Sequence, residues 1–230
     1  MSFKTLAQIK SQIKNALDLN EEEFIPDDEL LEYINEAITM AESEIHELYE
    51  NYFLAEAYLP ITAGQSEYDL PANIFASKIR GVTYTNGNDV YDVHRIRAPE
   101  QFHKIADLRN YGSTEDYCYI LKNDSTSDGV KLVLFPAARS TEPTAIKIWY
   151  IRDANKLAVD SDICDIPEFY PFVVQYVKVM VYEKEMHPNL DKAVAKLEKL
   201  TAKMRSTLAE MVPDEDNTVN PDLSHYWEHS

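Results

Sequence analysis

The sequence predicts an α+β protein: a discontinuous antiparallel helical bundle drawn from both ends of the chain, an inserted, mainly antiparallel β unit, and an extended C-terminal tail. Three observations predict it. Apolar residues recur every three or four positions at both ends, they alternate between about Phe53 and Arg152, and residues 213–230 follow neither period. The expected organisation is therefore 1–55 (first part of the helical body), 56–155 (inserted β unit), 156–212 (second part of the body) and 213–230 (tail).

The first helix is carried by Leu6, Ile9, Ile13 and Leu17, the spacing of one buried stripe. Pro26 and Asp27 open a second, with Asp27 as N-cap and Glu29 in the first turn. Leu30, Ile34, Ile38, Ala41, Ile45 and Leu48 continue its apolar face to about Tyr52. Its other faces carry Asp27, Asp28, Glu29, Glu32, Glu36, Glu42, Glu44, Glu47 and Glu50 with no Lys or Arg among them. Like charges at helical spacing cost ~0.2–0.5 kcal/mol per pair. Such a face is either simply solvated or lies against a basic surface. His46 on this helix reads as a surface residue.

Alternation then takes over. Asn86-Gly87, between β-branched and aromatic residues, is a strong hairpin signal. YCYIL (117–121), KLVLF (131–135) and AIKIWYI (145–151) read as further strands, and 98–107 as a short helix. Roughly five to seven strands of ordinary length fit the segment. The stretch YLPITAGQSEYDLPANIF (58–75) enters it, with Ala63-Gly64 as the turn of a hairpin that Pro60 and Pro71 confine to a sheet edge.

Helical patterning resumes at Asp165-Ile166-Pro167, with Pro167 in the first turn. Phe169, Phe172, Val173, Tyr176, Val177, Met180 and Val181 form a broad apolar face, and His187-Pro188 breaks it. The last helix, about 189–212, carries Leu190, Val194, Leu197, Thr201, Met204, Leu208 and Met211 at heptad spacing. Lys192, Lys196, Lys199 and Lys203 form a second stripe beside that seam, a candidate partner for Glu36, Glu47 and Glu50 within the chain or across a subunit boundary.

The tail holds Asp214, Glu215, Asp216, Asp222 and Glu228 without a Lys or Arg, and cannot bury enough surface alone. It ends in Leu223, Tyr226 and Trp227, apolar anchors of the kind that dominate docking sites. Two readings stand: a tail without a role, and a docking peptide that orders on a partner.

A net charge of −18 argues against a protein that binds duplex DNA by neutralising phosphates. No apolar run reaches the ~20 residues of a membrane span. The opening residues form an amphipathic helix pattern and not a signal peptide. Cys118 and Cys164 give neither a disulfide framework nor a CxxC metal spacing, which fits a reducing cytoplasm. Five glycines leave no room for a phosphate-cradling loop, and GxSxG and HExxH are missing. His225 and His229 sit at i,i+4 in the tail, where a metal site is not expected. No cofactor, metal or catalytic residue is assigned. Forty carboxylates guarantee chance pairs at hydrolase distance, so such a pair says little.

Particular phrases carry more. IPDDELLEYINEAI (25–38), LPITAGQSEYDLPANI (59–74) and DICDIPEFYPFVVQYV (162–177), with a polar tail after the last helix, resemble the head-to-tail adaptor (connector) proteins of tailed, especially short-tailed, bacteriophages. The resemblance implies a structural virion protein at the head–tail junction, assembled in the host cytoplasm, with no catalytic residues. It implies a ring, typically of twelve subunits, under the portal protein and bearing the tail nozzle or hub. DNA would pass through its channel without specific binding, and 213–230 would grip the portal. Another tail or head-closure ring component is the next reading, and a cell-wall hydrolase the last.

Overall fold

The computed structural model describes residues 3–17, 25–86, 89–96, 117–124, 129–138 and 140–212. The chain divides into two compact units, one from residues 1–49 with 155–230 and one from residues 50–154. Among the described residues the first is helical apart from two short strands, and the second holds strands and one 3₁₀ turn, Glu50–Phe53. The predicted α+β architecture, terminal helices around inserted strands, is the one observed.

In the helical unit, α1 (Leu6–Leu17) buries Leu6, Ile9 and Ile13, the stripe its spacing predicts. α2 (Asp27–Leu48) buries Leu30, Ile34, Ala37, Ile38, Ala41 and Ile45, the Leu and Ile side chains each contributing roughly 1.5–3 kcal/mol. It ends at Leu48, short of the expected Tyr52, because the chain tightens there into the 3₁₀ turn. Asp27 is not the N-cap: Pro26 holds that place, and the Asp27 carboxylate reaches Lys14 of α1 instead, 2.7 Å away. His46 is not a surface residue either, since its side chain is 5% exposed, with Nε2 3.6 Å from Glu42 Oε1.

α3 (Tyr170–Lys184) and α4 (Leu190–Met211) complete the unit. α3 is the central element, packing against α1, α2 and α4. That explains why its apolar residues spread around the axis and why Gln175 is buried on it. Pro167 lies before the helix, and Pro171 takes the first-turn position, where a missing N–H costs nothing. On α4 the seam is displaced by one residue near its start. Val194 is 36% exposed and Ala193 is buried, because Ala193 faces α3 and accepts a hydrogen bond from Gln175.

Two short strands escape the sequence reading. β1 (Lys4–Thr5) pairs antiparallel with β10 (Ile163–Cys164), tying the chain's start to the segment before α3. Leu6 N and Ala7 N extend the tie to the carbonyls of Asp162 and Asp160.

The strand unit is two four-stranded sheets. One runs in the order β2 (Leu54–Ile61), β9 (Glu142–Arg152), β4 (Ile74–Asn86), β5 (Asp89–Asp92). The other runs β3 (Glu67–Asp69), β8 (Gly129–Phe135), β7 (Cys118–Asp124), β6 (His94–Arg95). All pairs are antiparallel except β6 with β7. Among the described residues that makes eight strands where five to seven are predicted; β3 and β6 are too short to carry a period. β4 and β5 pair with Asn86 opposite Asp89, the hairpin expected there. The helix expected at 98–107 lies outside the described residues.

The 58–75 stretch is not a hairpin. Among the described residues β2 pairs with β9 and β3 with β8, and neither pairs with the other, so the chain crosses from one sheet to the other. Both strands are edges, and Pro60 coincides with a register shift between Leu59 and Ile61, as a residue without an N–H requires. Gly64 has φ +81 and Gln65 N donates to Thr62 O, so Thr62–Gln65 is a turn with glycine where a left-handed residue is needed. Leu59, Ile61, Tyr68, Val82, Leu132, Leu134, Ile146 and Ile148 belong to one shared core.

Candidate interaction surfaces

An acidic α2 without Lys or Arg of its own needs cations from elsewhere, and among the described residues the helical unit supplies four: Lys10 and Lys14 of α1, Lys184 and Arg205. Lys14 of α1 pairs with Asp27. Lys184 at the end of α3 donates to both Glu29 oxygens at 2.6 Å, and Tyr33 donates to Oε1 at 2.7 Å. Arg205 of α4 forms a two-pronged pair with Glu44, Nε to Oε2 at 2.7 Å and Nη2 to Oε1 at 2.8 Å. These contacts shift the groups' ionisation. The Lys14 hydrogen bond holds Asp27 below its ordinary range, and the Lys184 hydrogen bond does the same for Glu29. The Tyr33 phenol, bonded to the Glu29 carboxylate, is pushed up to about 12.

The residues singled out from sequence sit differently. Glu36 accepts a hydrogen bond from Tyr176 at 3.0 Å. Glu50 is in the strand unit and pairs with Lys78 and Arg80. Glu47 is exposed. Lys192 donates to Asn189, and among the described residues Lys196, Lys199 and Lys203 form no ion pair. Among the described residues the basic partners of α2 are thus Lys10, Lys14, Lys184 and Arg205, and the lysine stripe of α4 faces outward. Leu223, Tyr226 and Trp227 lie outside the described residues.

Two concave features lie within the separate units. Between α3 and α4 an apolar groove of about 250 Å³ is lined chiefly by Phe169, Phe172, Leu200, Met204 and Met211, with Lys203 on its margin. In the strand unit a cleft of about 580 Å³ carries Glu50, Lys78, Arg80 and Arg95 beside Ala76 and Ser77. Those two residues have φ of +45 and +55, conformations L side chains rarely adopt. They fall where the β4–β9 register slips between Ile74 and Ile79. The sequence offered no sign of this cleft, since neither residue is the glycine or asparagine that normally marks such a bend.

Cys118 and Cys164 are buried and not joined in a disulfide, and burial pushes the Cys164 thiol up, away from the reactive thiolate. Among the described residues no group of three or more His, Cys, Asp or Glu could hold a metal ion, and no helix is long and apolar enough to cross a membrane. What the fold presents instead is surfaces: an outward cationic stripe, an apolar groove and a charged cleft. Residues 4–222 match the SU10 adaptor protein family, nearly the whole chain.

The chain belongs to the SU10 adaptor protein family. This is a family of phage head–tail adaptors, so the chain is a structural protein of the head–tail junction. No curated protein matches it. An adaptor works by fitting its neighbours, which agrees with a molecule whose notable side chains lie on its outside.

Proposed function

We propose that this adaptor forms a closed ring, expected to be a dodecamer, that docks under the portal, carries the tail nozzle or hub, and leaves a channel through which DNA is ejected. The observation that carries the reading is the match to the adaptor family over residues 4–222. A closed ring uses heterologous contacts, one face of each subunit meeting a different face of the next. The outward stripe Lys192, Lys196, Lys199 and Lys203 supports such a contact, because the chain's own acidic helix is served by other cations. Its partners would be Glu36 and Glu47 of a neighbouring subunit, with orientation and encounter rate as the main gain. Glu50, already paired with Lys78 and Arg80, is the weaker candidate. A net charge of −18 suits a channel past which DNA slides without adhering.

The chain acts by assembly and not by catalysis in this reading. Residues 213–230 are the portal-docking segment, with Leu223, Tyr226 and Trp227 as anchors. Removing 213–230 separates docking from folding: the shortened chain should keep the helical signal and melting point of the full chain and lose portal binding. Undiminished portal binding by the shortened chain would refute the tail's role. Lys196→Glu with Lys203→Glu should weaken ring formation in low salt and leave folding intact. Unchanged assembly would remove the stripe from the account.

A further inference from the structure

The apolar groove of the helical unit sits where the last helix gives way. Met211, its final residue, lines the groove, and Val212 turns the chain out of the helix with ψ of 120, as a residue before proline must. Eighteen residues, 213–230, follow that point. They carry five carboxylates and no Lys or Arg, with an aromatic pair near the end. The groove has the opposite character: an apolar floor of Phe169, Phe172, Leu200 and Met204, and a margin bearing Lys203. Lys199 and Lys196 continue that margin along the same helix face, and none of the three has an ion-pair partner among the described residues. One acidic side chain, Glu168, also lines it.

We infer that in the free subunit this groove is the seat of the chain's own C-terminal segment, with the Tyr226–Trp227 pair entering it and the flanking Asp222 and Glu228 facing Lys203 and Lys199. The volume, about 250 Å³, admits an aromatic side chain and is smaller than the ~300–1,000 Å³ typical of small-molecule sites. The linking residues 213–225 can span up to ~40 Å, ample for a return to a groove that begins beside Met211. Attachment also gives the segment a millimolar-scale effective concentration at the groove. A copy in solution at micromolar concentration therefore competes poorly. The contact keeps two large aromatic side chains covered until a partner surface displaces them. It concerns the isolated chain and stands whether or not that partner is a portal.

The chain has two tryptophans, Trp149 in the strand unit and Trp227 in the segment, which makes the test direct. In full-length protein carrying Trp149→Phe, Trp227 should emit at short wavelength and resist acrylamide quenching. Adding Lys199→Glu and Lys203→Glu should raise quenching several-fold and shift emission to the red. The difference spectrum between the natural chain and Trp227→Phe gives the same reading if Trp149→Phe destabilises the strand unit. A Trp227 emission like that of free indole in folded protein at low salt would overturn the inference. A burial that disappears on dilution would also overturn it, assigning the groove to the segment of a second copy.

Discussion

Asn35 of α2 and Leu157 of the returning chain exchange two hydrogen bonds: Asn35 Nδ2 donates to Leu157 O and Leu157 N donates to Asn35 Oδ1, both at 2.9 Å. The amide copies a β-bridge across 122 residues of sequence. It fixes where the chain re-enters the helical unit after the strand insertion. Asn35→Ala should cost ~1–3 kcal/mol, the range for two part-buried hydrogen bonds. Asn35→Asp should cost at least as much at neutral pH, because a carboxylate would face the Leu157 carbonyl. Equilibrium denaturation checks both. A loss within error of zero would show that the re-entry is held by packing alone.

Gln175 is a buried polar side chain of the bundle, 4% exposed, and it donates to Ala193 O at 2.9 Å. Gln175→Glu places an ionised group there facing a carbonyl and should cost several kcal/mol at pH 7. Acidification should rescue it, because a protonated Glu can donate as the amide does. Melting curves of this variant at pH 7 and pH 5 should therefore converge on the natural protein as pH falls. A variant equally unstable at both would place the fault in shape and not in charge.

The helices were legible in the sequence because their stripes are local. Ile9, Ile13, Ile34, Ile38 and Ile45 are buried where a 3.6-residue period puts them. Heptad spacing puts Val194 in the seam of α4, but which residue faces α3 depends on Gln175 meeting Ala193, a tertiary fact. The crossing at 62–66 was invisible as such: its turn chemistry marks a reversal, and only long-range pairing with β8 and β9 decides that two sheets result. The excess of acid on α2 was plain, while Lys184 and Arg205 lie 155 and 161 positions from their partners Glu29 and Glu44 and leave no local trace.

The pH profile should fall at both ends. Asp27 and Glu29 are depressed in the folded state by Lys14 and Lys184, and Asp162 by the amides of Val159 and Ala158. In acid the unfolded chain takes up protons first, so their contribution is present above the ordinary values of 3.8 and 4.5 and is lost as pH drops through the lower folded values. Tyr33 works in the other direction. Its folded phenol keeps its proton up to about 12 while the unfolded one loses it near 10.0, so stability declines as pH rises across that interval. Helical circular dichroism against pH should show both limbs. Tyr33→Phe should remove part of the alkaline one, and an unchanged alkaline limb would contradict the Tyr33–Glu29 bond.

Left-handed backbone should decide two opposite substitutions in the strand unit. A Cβ at Gly64 would meet nothing within 4 Å, so Gly64→Ala should cost only the conformational ~1–2 kcal/mol of a left-handed L residue. Ser77→Gly, usually harmful in a strand, should stabilise by about 1 kcal/mol, because φ +55 no longer strains a side chain. Denaturation monitored in the strand unit measures both, and a loss at Ser77→Gly would mean that its side chain makes a contact worth more than the strain.

The central claim is that surfaces of this adaptor close into a ring on a portal. Particle images of the full chain mixed with its cognate portal test it most directly. The account predicts a closed ring seated on the portal's narrow end, expected to hold twelve copies. A chain that stays monomeric beside intact portals, or that binds elsewhere on them, would contradict it.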